Sequence, residues 1–427
     1  MSDNSLGGGR VEAWRSLFRL WFMARKPPYV AGLDLGDSKT CVVVCRADDR
    51  NKLHLVGMGV AESRGWRRGA INDFDSAVLA IKKAVEAAED AAGFSIDTVY
   101  IGVGGLELKG VNSTGAISLG AHGRQVVPDD IRKVFEVAQG IPLPADRRLL
   151  HAERQEYLLD SQNGIRNPIG MVGTRLEVNV HLVTASTIAH ENLITAVNRA
   201  GIEVKDTVLE PLAAAEACLG PDERELGVGL LDIGRGSSEF VIYHDGSLRH
   251  TAAIPVGGEF FTNDVAVGLR TPVPEAERLK LSWTDSKSTD SEASFEVPSV
   301  GGRPPRVVNT AMLGEILEPR EEELVELTQA ELARAHFDRA LGAGLVLVGG
   351  GAKLAGLAAM AERTLEMPVR LGQPSGIENL GDPLLDPAYA AVVGLVLYGN
   401  RQRALEGSRP PGWRERWKGF FGGEKAS

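Results

Sequence analysis

Two widely separated stretches of the chain share one pattern of apolar and polar positions. In Gly32-Leu33-Asp34-Leu35-Gly36-Asp37-Ser38-Lys39-Thr40-Cys41-Val42-Val43-Val44, an apolar run enters Asp-x-Gly, a short polar turn follows, and a second apolar run leads out. The same order returns from Gly229 to Tyr243, around Asp232-Ile233-Gly234-Arg235-Gly236-Ser237-Ser238. Apolar runs flanking such a turn predict a tight β-hairpin. Two copies this far apart predict a duplicated domain, each half giving one hairpin to a shared cleft. In both, glycines let backbone N–H groups approach an anion, and the Asp at the strand end is suited to a hydrated cation. That combination fits nucleotide phosphates carrying magnesium. A third stretch, Leu345 to Val348 followed by Gly349-Gly350-Gly351, reads as a buried strand turning through glycines into a helix, with backbone free to lie against a flat or phosphorylated ligand.

Between these landmarks the pattern alternates between the two periods. Val78, Ile81, Val85 and Ala88 fall on one face of a helix from Asp75 to Ala92, and a strand over Thr98 to Val103 follows. The block from Leu106 to Val178 shows strand alternation around Gly110 to Leu119 and one helix at Pro128 to Gln139. A strand at Asn179 to Ala185 and a helix at Thr187 to Ala200 come next. Leu209 to Leu219 reads as a helix with Pro211 in its first turn and small residues Ala213, Ala214, Ala215 and Ala217 behind it, which permits close helix crossing and suits a hinge. Tyr389 to Tyr398 has the look of its twin. Helices at Glu259 to Leu269 and Gly356 to Leu365 and a strand at Val369 to Leu371 complete the core pattern.

The two ends differ from the rest. Met1 to Gly9 reads as disordered. From Arg10 to Lys26, Val11, Trp14, Leu17, Phe18, Trp21 and Phe22 share one helical arc with Glu12, Arg15, Ser16 and Arg19 opposite, and Pro27-Pro28 ends it. After a polar linker at Arg401 to Pro411, Trp413, Trp417 and Phe420 fall on one face among Arg414, Arg416 and Lys418. Aromatic faces ringed by basic residues read as helices lying in an anionic membrane interface.

Composition narrows the class. With 427 residues, 43% hydrophobic and 24% charged, the chain is long enough for several globular units. A net charge of -10 argues against nucleic acid as a partner. Its three cysteines, Cys41, Cys45 and Cys218, form no disulfide framework, which favours a reducing cytosolic setting. No run approaches the roughly 18 uncharged apolar residues needed to span a bilayer.

The three glycine-bearing turns, in this order, resemble the phosphate-1, phosphate-2 and adenosine motifs of the actin, Hsp70 and sugar-kinase superfamily. Further stretches resemble the FtsA family of bacterial actin-like cell-division proteins: Ser63-Arg64-Gly65, Arg68 to Asp73, His151 to Tyr157, Asp222 to Gly227, Glu296 to Arg306 and Glu318-Pro319-Arg320. The resemblance implies an α/β, duplicated actin-like ATPase fold with two lobes around a nucleotide cleft. It further implies subdomain 1A over 29–105, 179–208 and 380–400, an FtsA-type 1C insert over 106–178, subdomain 2A over 209–261 and 327–379, and 2B over 262–326. The ends would be a basic amphipathic extension over 10–28 and a membrane-targeting segment over 412–427.

For the cleft, the resemblance implies ATP with Mg2+ held through water by Asp34 and Asp232. Phosphate contacts would come from Gly36, Ser38, Lys39, Gly234, Gly236 and Ser237. Gly258, Glu277, Lys280, Gly349, Gly350 and Gly351 would line the nucleoside side, and Glu210, with Asp232, would serve whatever weak hydrolysis occurs. Two residues depart from the pattern: Asp37 adds a carboxylate to the first turn, and Arg235 replaces a glycine in the second. Together they suggest an ion pair across the cleft. The implied function is a scaffold that polymerises on the cytoplasmic face of the inner membrane at the division site. There it would bind the C-terminal peptide of FtsZ through Arg303, Arg306, Glu318 and Arg320, other division proteins through the insert, and anionic lipid through Trp14, Phe18, Trp21, Trp413, Trp417 and Phe420. A pilus-assembly actin-like ATPase and a small-molecule kinase are the alternatives.

Overall fold

The computed structural model describes residues 29–285, 294–299 and 304–407. Both terminal segments, with Trp14, Phe18, Trp21, Trp413, Trp417 and Phe420, and also Arg303, lie outside the described residues.

The first apolar run forms β1 (Tyr29–Leu35), which turns into antiparallel β2 (Lys39–Ala47) with Leu35 opposite Thr40. Both are buried along nearly their whole length, so their sequences show unbroken apolar runs instead of alternation. β3 (Leu53–Glu62) pairs with β2, and β4 (Trp66–Arg67) with β5 (Ala70–Ile71) makes a small hairpin. Helix α1 (Phe74–Ala92) is capped by Asp73, whose carboxylate accepts from the Ser76 N–H, and stops at left-handed Gly93. It lies on β3 so closely that a Cβ on Gly59 would come within 1.9 Å of the Ala84 carbonyl oxygen. β6 (Thr98–Val103) joins parallel to β1.

The inserted block is β7 (Lys109–Ser118), β8 (Arg124–Gln125), α2 (Pro128–Gln139), β9 (Arg147–Leu159), β10 (Gln162–Ile165), β11 (Val172–Gly173) and β12 (Arg175–Ser186). Its sheet runs β10-β9-β12-β7, and its own core includes Val134, Ala138, Leu176, Val178 and Val180. β12 pairs within this sheet along its whole length. Asn179 to Ala185 is therefore the end of an insert strand, whereas the sequence reading gave it to the first lobe; the long strand is itself the connection back, running straight into α3 (Thr187–Arg199). β13 (Glu203–Leu209) then pairs parallel to β6.

The second lobe repeats the plan of the first. After α4 (Glu210–Cys218) and α5 (Pro221–Leu226), β14 (Val228–Ile233) turns into antiparallel β15 (Ser238–His244), Ile233 opposite Ser238, and β16 (Ser247–Ile254) follows. Helices α6 (Gly258–Gly268) and α7 (Val273–Asp285), the hairpin β17 (Ser294–Val297) with β18 (Arg306–Asn309), and the long α8 (Thr310–Arg334) come next. The boundary expected after Glu326 falls inside α8. β19 (Leu345–Val348) lies parallel to β14 as β6 does to β1, giving the order β16-β15-β14-β19-β20, where β20 is Val369–Leu371 and follows α9 (Leu357–Leu365).

β21 (Ile377–Glu378) returns to the edge of the first sheet beside β3, and α10 (Ala390–Gly407) ends the described chain. α10 continues through Arg401 to Gly407, where a linker was expected. α4 and α10 cross with almost no clearance, a Cβ on Gly394 falling 1.7 Å from the Ala213 carbonyl oxygen. The insert also touches the second lobe: buried His181 of β12 bonds Asn112 of β7 through Nδ1 at 2.7 Å and Thr251 of β16 through Nε2 at 3.0 Å.

Candidate functional site

The turns that end β1 and β14 face each other, and with the glycines after β19 they enclose one cavity. Its walls carry Asp34, Gly36, Ser38 and Lys39 from the first hairpin, and Asp232, Gly234, Gly236 and Ser237 from the second. Glu210, Gly258, Glu277, Lys280, Gly349, Gly350 and Gly351 complete it. Residues from six separate stretches of sequence thus meet at one place.

The floor is acidic. Asp34 and Asp232 are each 8% exposed and Glu239 4%, with Glu210 beside them. Burial, then the repulsion of Glu239 and Asp34, pushes Asp232 up to about 8 against the pull of Lys39. Burial raises Asp34 as well, again opposed by Lys39. Glu210 is held well above the ordinary carboxylate range by burial and then by Asp34, Glu239, Asp232 and Asp37. Gathered acids in a low-dielectric pocket demand a cation or protons. Lys39 supplies part of that charge, although its Nζ donates to the Ala388 carbonyl at 2.7 Å and sits 4.3 Å above the Tyr389 ring. Among the described residues no three His, Cys, Asp or Glu side chains converge closely enough to ligate a metal directly. The donor set therefore fits an ion that keeps much of its water, as Mg2+ does.

Close approach explains the glycines. Gly349 has φ 83°, and a Cβ there would fall 2.4 Å from Asp232 Oδ1. A Cβ on Gly104 would lie 2.2 Å from Glu210 Oε2, so the loop after β6 has room for that carboxylate only because it lacks side chains.

Glu277 and Lys280 are one turn apart on α7 and point inward. Lys280, 6% exposed, donates to the Gly258 carbonyl at 3.0 Å, to Thr262 Oγ1 at 2.9 Å and to Glu277 Oε2 at 2.9 Å, while Thr262 also donates to Glu277. Burial works to raise Glu277, but Lys280, Thr262 and Arg235 together hold it below its ordinary value. Burial lowers Lys280, against the pull of Glu277. This is a fixed polar wall, not a pair of solvated helix charges.

Asp37 and Arg235 do not form the ion pair that their loops suggested. Asp37 accepts from the Gly69 N–H at 3.1 Å, and its carboxylate packs against Gly236, where a Cβ would meet Oδ2 at 2.2 Å. Its pKa is raised, chiefly by burial, with Arg235 a minor opposing influence. An ion pair that does cross the cleft is Arg68 Nε to Glu259 Oε1 at 2.9 Å, with the Arg68 guanidinium 5.0 Å from the Phe260 ring. Sequence reasoning missed Arg68, Glu239 and Glu259. Arg68 and Gly69 stood in a stretch noted only for its resemblance, and Arg68 adopts φ 52°, which no local pattern announces.

The proposed partner residues stand elsewhere, on the small subdomain. Arg306 donates to the Leu269 carbonyl. Arg320 pairs with Asp264 at 2.7 Å and with Glu323, and Glu318 is exposed.

Comparison with known proteins places these features in a family. A family profile described as "Cell division protein FtsA" matches residues 229–394, and one described as "SHS2 domain inserted in FTSA" matches residues 105–184. The chain is 41% identical to the cell division protein FtsA of Pseudomonas aeruginosa over 88% of its own length and 90% of that protein. It is 36% identical to that of Escherichia coli K12 over 87% and 90%, and 35% identical to that of Bacillus subtilis over 88% and 84%. Among solved structures it is similar to a PilM-PilN type IV pilus biogenesis complex, with TM-score 0.63, 18% identity and coverage of 88% and 99%. It is also similar to MreB5 of Spiroplasma citri bound to ADP, with TM-score 0.55, 12% identity and coverage of 89% and 99%. These last likenesses establish the actin-like fold.

Proposed function

This chain belongs to the FtsA family of actin-like cell division proteins, and from that premise we propose that it is a nucleotide-controlled scaffold tethering the division ring to the membrane. The observation that carries the nucleotide part is the single cavity where both Asp-x-Gly hairpins, the Gly349–Gly351 turn and the Glu277–Lys280 pair converge. Asp34 and Asp232 would hold Mg2+ through its water, and that ion would supply charge compensation for ATP phosphates. Lys39 and the turn N–H groups of Gly36, Ser38, Gly234, Gly236 and Ser237 would bind and orient the phosphates, and Gly258 with the Gly349–Gly351 backbone would meet the nucleoside. Burial, and then Asp34, Glu239, Asp232 and Asp37, raise Glu210 well above its ordinary value, and with Asp232 it would serve only weak hydrolysis, so turnover would be slow. Nucleotide acts chiefly by favouring the closed arrangement of the lobes.

The scaffold would assemble with its own copies at the division site, on the cytoplasmic face of the inner membrane. Anionic lipid would be met by Trp413, Trp417 and Phe420 and by Trp14, Phe18 and Trp21. Arg303, Arg306, Glu318 and Arg320 of the small subdomain would receive the FtsZ C-terminal peptide, and the insert would contact other division proteins. The test is titration of the full chain with a fluorescent ATP analogue, with Mg2+ and with a chelator, and separately with an FtsZ C-terminal peptide. Mg2+-dependent nucleotide binding together with peptide binding is expected. Nucleotide binding without peptide binding would overturn the tether.

A further inference from the structure

A second cavity opens where the insert, the edge strand of the second lobe and the end of α8 meet. Its volume is about 350 Å³, inside the range of about 300–1,000 Å³ usual for small-molecule sites, and it shares no wall residue with the cleft. Asn112 of β7 and Gln155 of β9 form the insert's side, Arg249 and His250 of β16 another, and Arg334 at the end of α8, with His336 and Phe337 after it, the third.

Every ionisable residue in that wall is an arginine or a histidine. The neighbouring acids stand behind it. Glu331 bonds His250 Nε2 at 3.2 Å and pairs with Nη1 of Arg334, while Asp245 takes Arg249 Nη2 at 3.0 Å. The insert's amides are already used: Gln155 Nε2 donates to the Leu248 carbonyl at 2.9 Å and to Asn112 Oδ1 at 3.1 Å, and Asn112 Nδ2 donates to the Arg249 carbonyl at 3.3 Å.

The unused donors belong to the second lobe. Arg249 Nε donates to the His244 carbonyl at 3.1 Å, but its Nη1 has only Glu156 at 3.8 Å, beyond hydrogen-bond reach. Nε and Nη2 of Arg334 and the ring of His336 have no hydrogen-bond partner among the described residues. His336 follows the helix cap in the left-handed region, φ 60°, where glycine is the easy choice. An imidazole is kept at the cavity in spite of that strain. Phe337 adds a flat apolar wall, its ring 5.5 Å from that of His244.

We infer that this cavity is a second ligand site, taking a small molecule that carries a phosphate group and a flat apolar portion. Guanidinium forks match pairs of phosphate oxygens, and the Phe337 ring matches the apolar portion. Because the walls belong to the insert and to the second lobe, an occupant would brace one against the other at β16. The site needs neither a nucleotide in the cleft nor a partner on the small subdomain.

Calorimetric titration of the full chain is the test, with phenyl phosphate, inorganic phosphate and phenol as probes. Phenyl phosphate is expected to bind more tightly than inorganic phosphate, and phenol not to bind. Arg334→Gln with His336→Gln alters two exposed side chains, so the melting temperature should hold while phenyl phosphate affinity falls about tenfold or more. Lys39→Ala, at the cleft, should leave that affinity unchanged, and bound phenyl phosphate should slow hydrogen exchange in 247–254 and 331–337. Equal affinity in the Arg334/His336 variant overturns the site, as does a wild type that binds neither phosphate. Binding lost in Lys39→Ala would assign the phosphate to the cleft, which overturns the second site and leaves the nucleotide reading standing.

Discussion

Glu239 Oε1, on the second lobe, accepts a hydrogen bond from the Gly105 N–H, on the first, at 2.9 Å, while Ser237 Oγ donates to the same oxygen at 2.7 Å. The contact is buried and joins the loop after β6 to the second hairpin. Glu239→Ala strands the Gly105 N–H and should cost about 1–3 kcal/mol of stability. Glu239→Gln keeps an acceptor there and should cost less than half of that. Chemical denaturation of the two variants decides; equal losses would show that the charge, not the acceptor, matters.

The acidic floor makes stability depend on pH. Asp232 gives up its proton near pH 8 in the folded chain, against an ordinary value of 3.8. Between those values the folded state binds the extra proton, so stability is greatest at the low end and falls as pH rises through 8. The melting temperature of the nucleotide-free chain should drop from pH 6 to pH 9, and added Mg2+ should recover more of it at pH 9. Asp232→Asn should flatten the slope by up to about 1.4 kcal/mol per pH unit. An unchanged slope in that variant would place the linkage elsewhere.

Acid should act at a different place. Burial, and then nearby His250, depress His181 to about 3 from 6.5. A depressed histidine contributes stability that is present above 6.5 and lost as pH falls toward 3. The insert should therefore loosen from β16 below about pH 6, seen as faster hydrogen exchange in 247–254 after correction for intrinsic rates. His181→Asn should remove that acid sensitivity.

Gly104→Ala pushes a methyl group into the space of the Glu210 carboxylate. If Glu210 serves hydrolysis, turnover should fall about tenfold or more with nucleotide affinity little changed, since misplacement of a reacting group costs rate before binding. Loss of affinity with unchanged turnover would remove Glu210 from that role.

Arg320 and Glu318 should separate in their effects. Arg320 is held by Asp264 and Glu323 and lies 5.6 Å from the Phe260 ring, so Arg320→Ala should lower stability by about 1 kcal/mol as well as weaken peptide binding. Glu318 is exposed, and Glu318→Ala should weaken peptide binding at unchanged melting temperature.

The sequence discloses what is local and repeated. The two hairpins, the strand-to-glycine turn and the face of α7 bearing Glu277 and Lys280 are legible because each is set by a few adjacent residues, and the repeated Asp-x-Gly turn announces the duplication. What escapes it depends on loops meeting in space. Asp37 finds the backbone of Gly69 instead of Arg235, Lys39 finds the Ala388 carbonyl, and Arg68 finds Glu259 only because a left-handed turn aims it across the cleft. The start of β12 and the end of α10 escaped for another reason. Neither a strand passing from one sheet's edge into a connection nor a helix continuing through polar residues changes its periodicity where a boundary was expected.

Gly394 and Ala213 bring the backbones of α10 and α4 together with no side chain of Gly394 between them, so the crossing is the point of closest approach about which a change in the angle between the two helices would turn. Displacement then grows with distance from that point, so a few degrees of turn that scarcely disturb the crossing would be felt most by parts of the molecule far from it. Any second copy or membrane gripping such a distant part has the longer lever arm, and would set the angle of the nucleotide cleft more easily than a ligand bound near the pivot could.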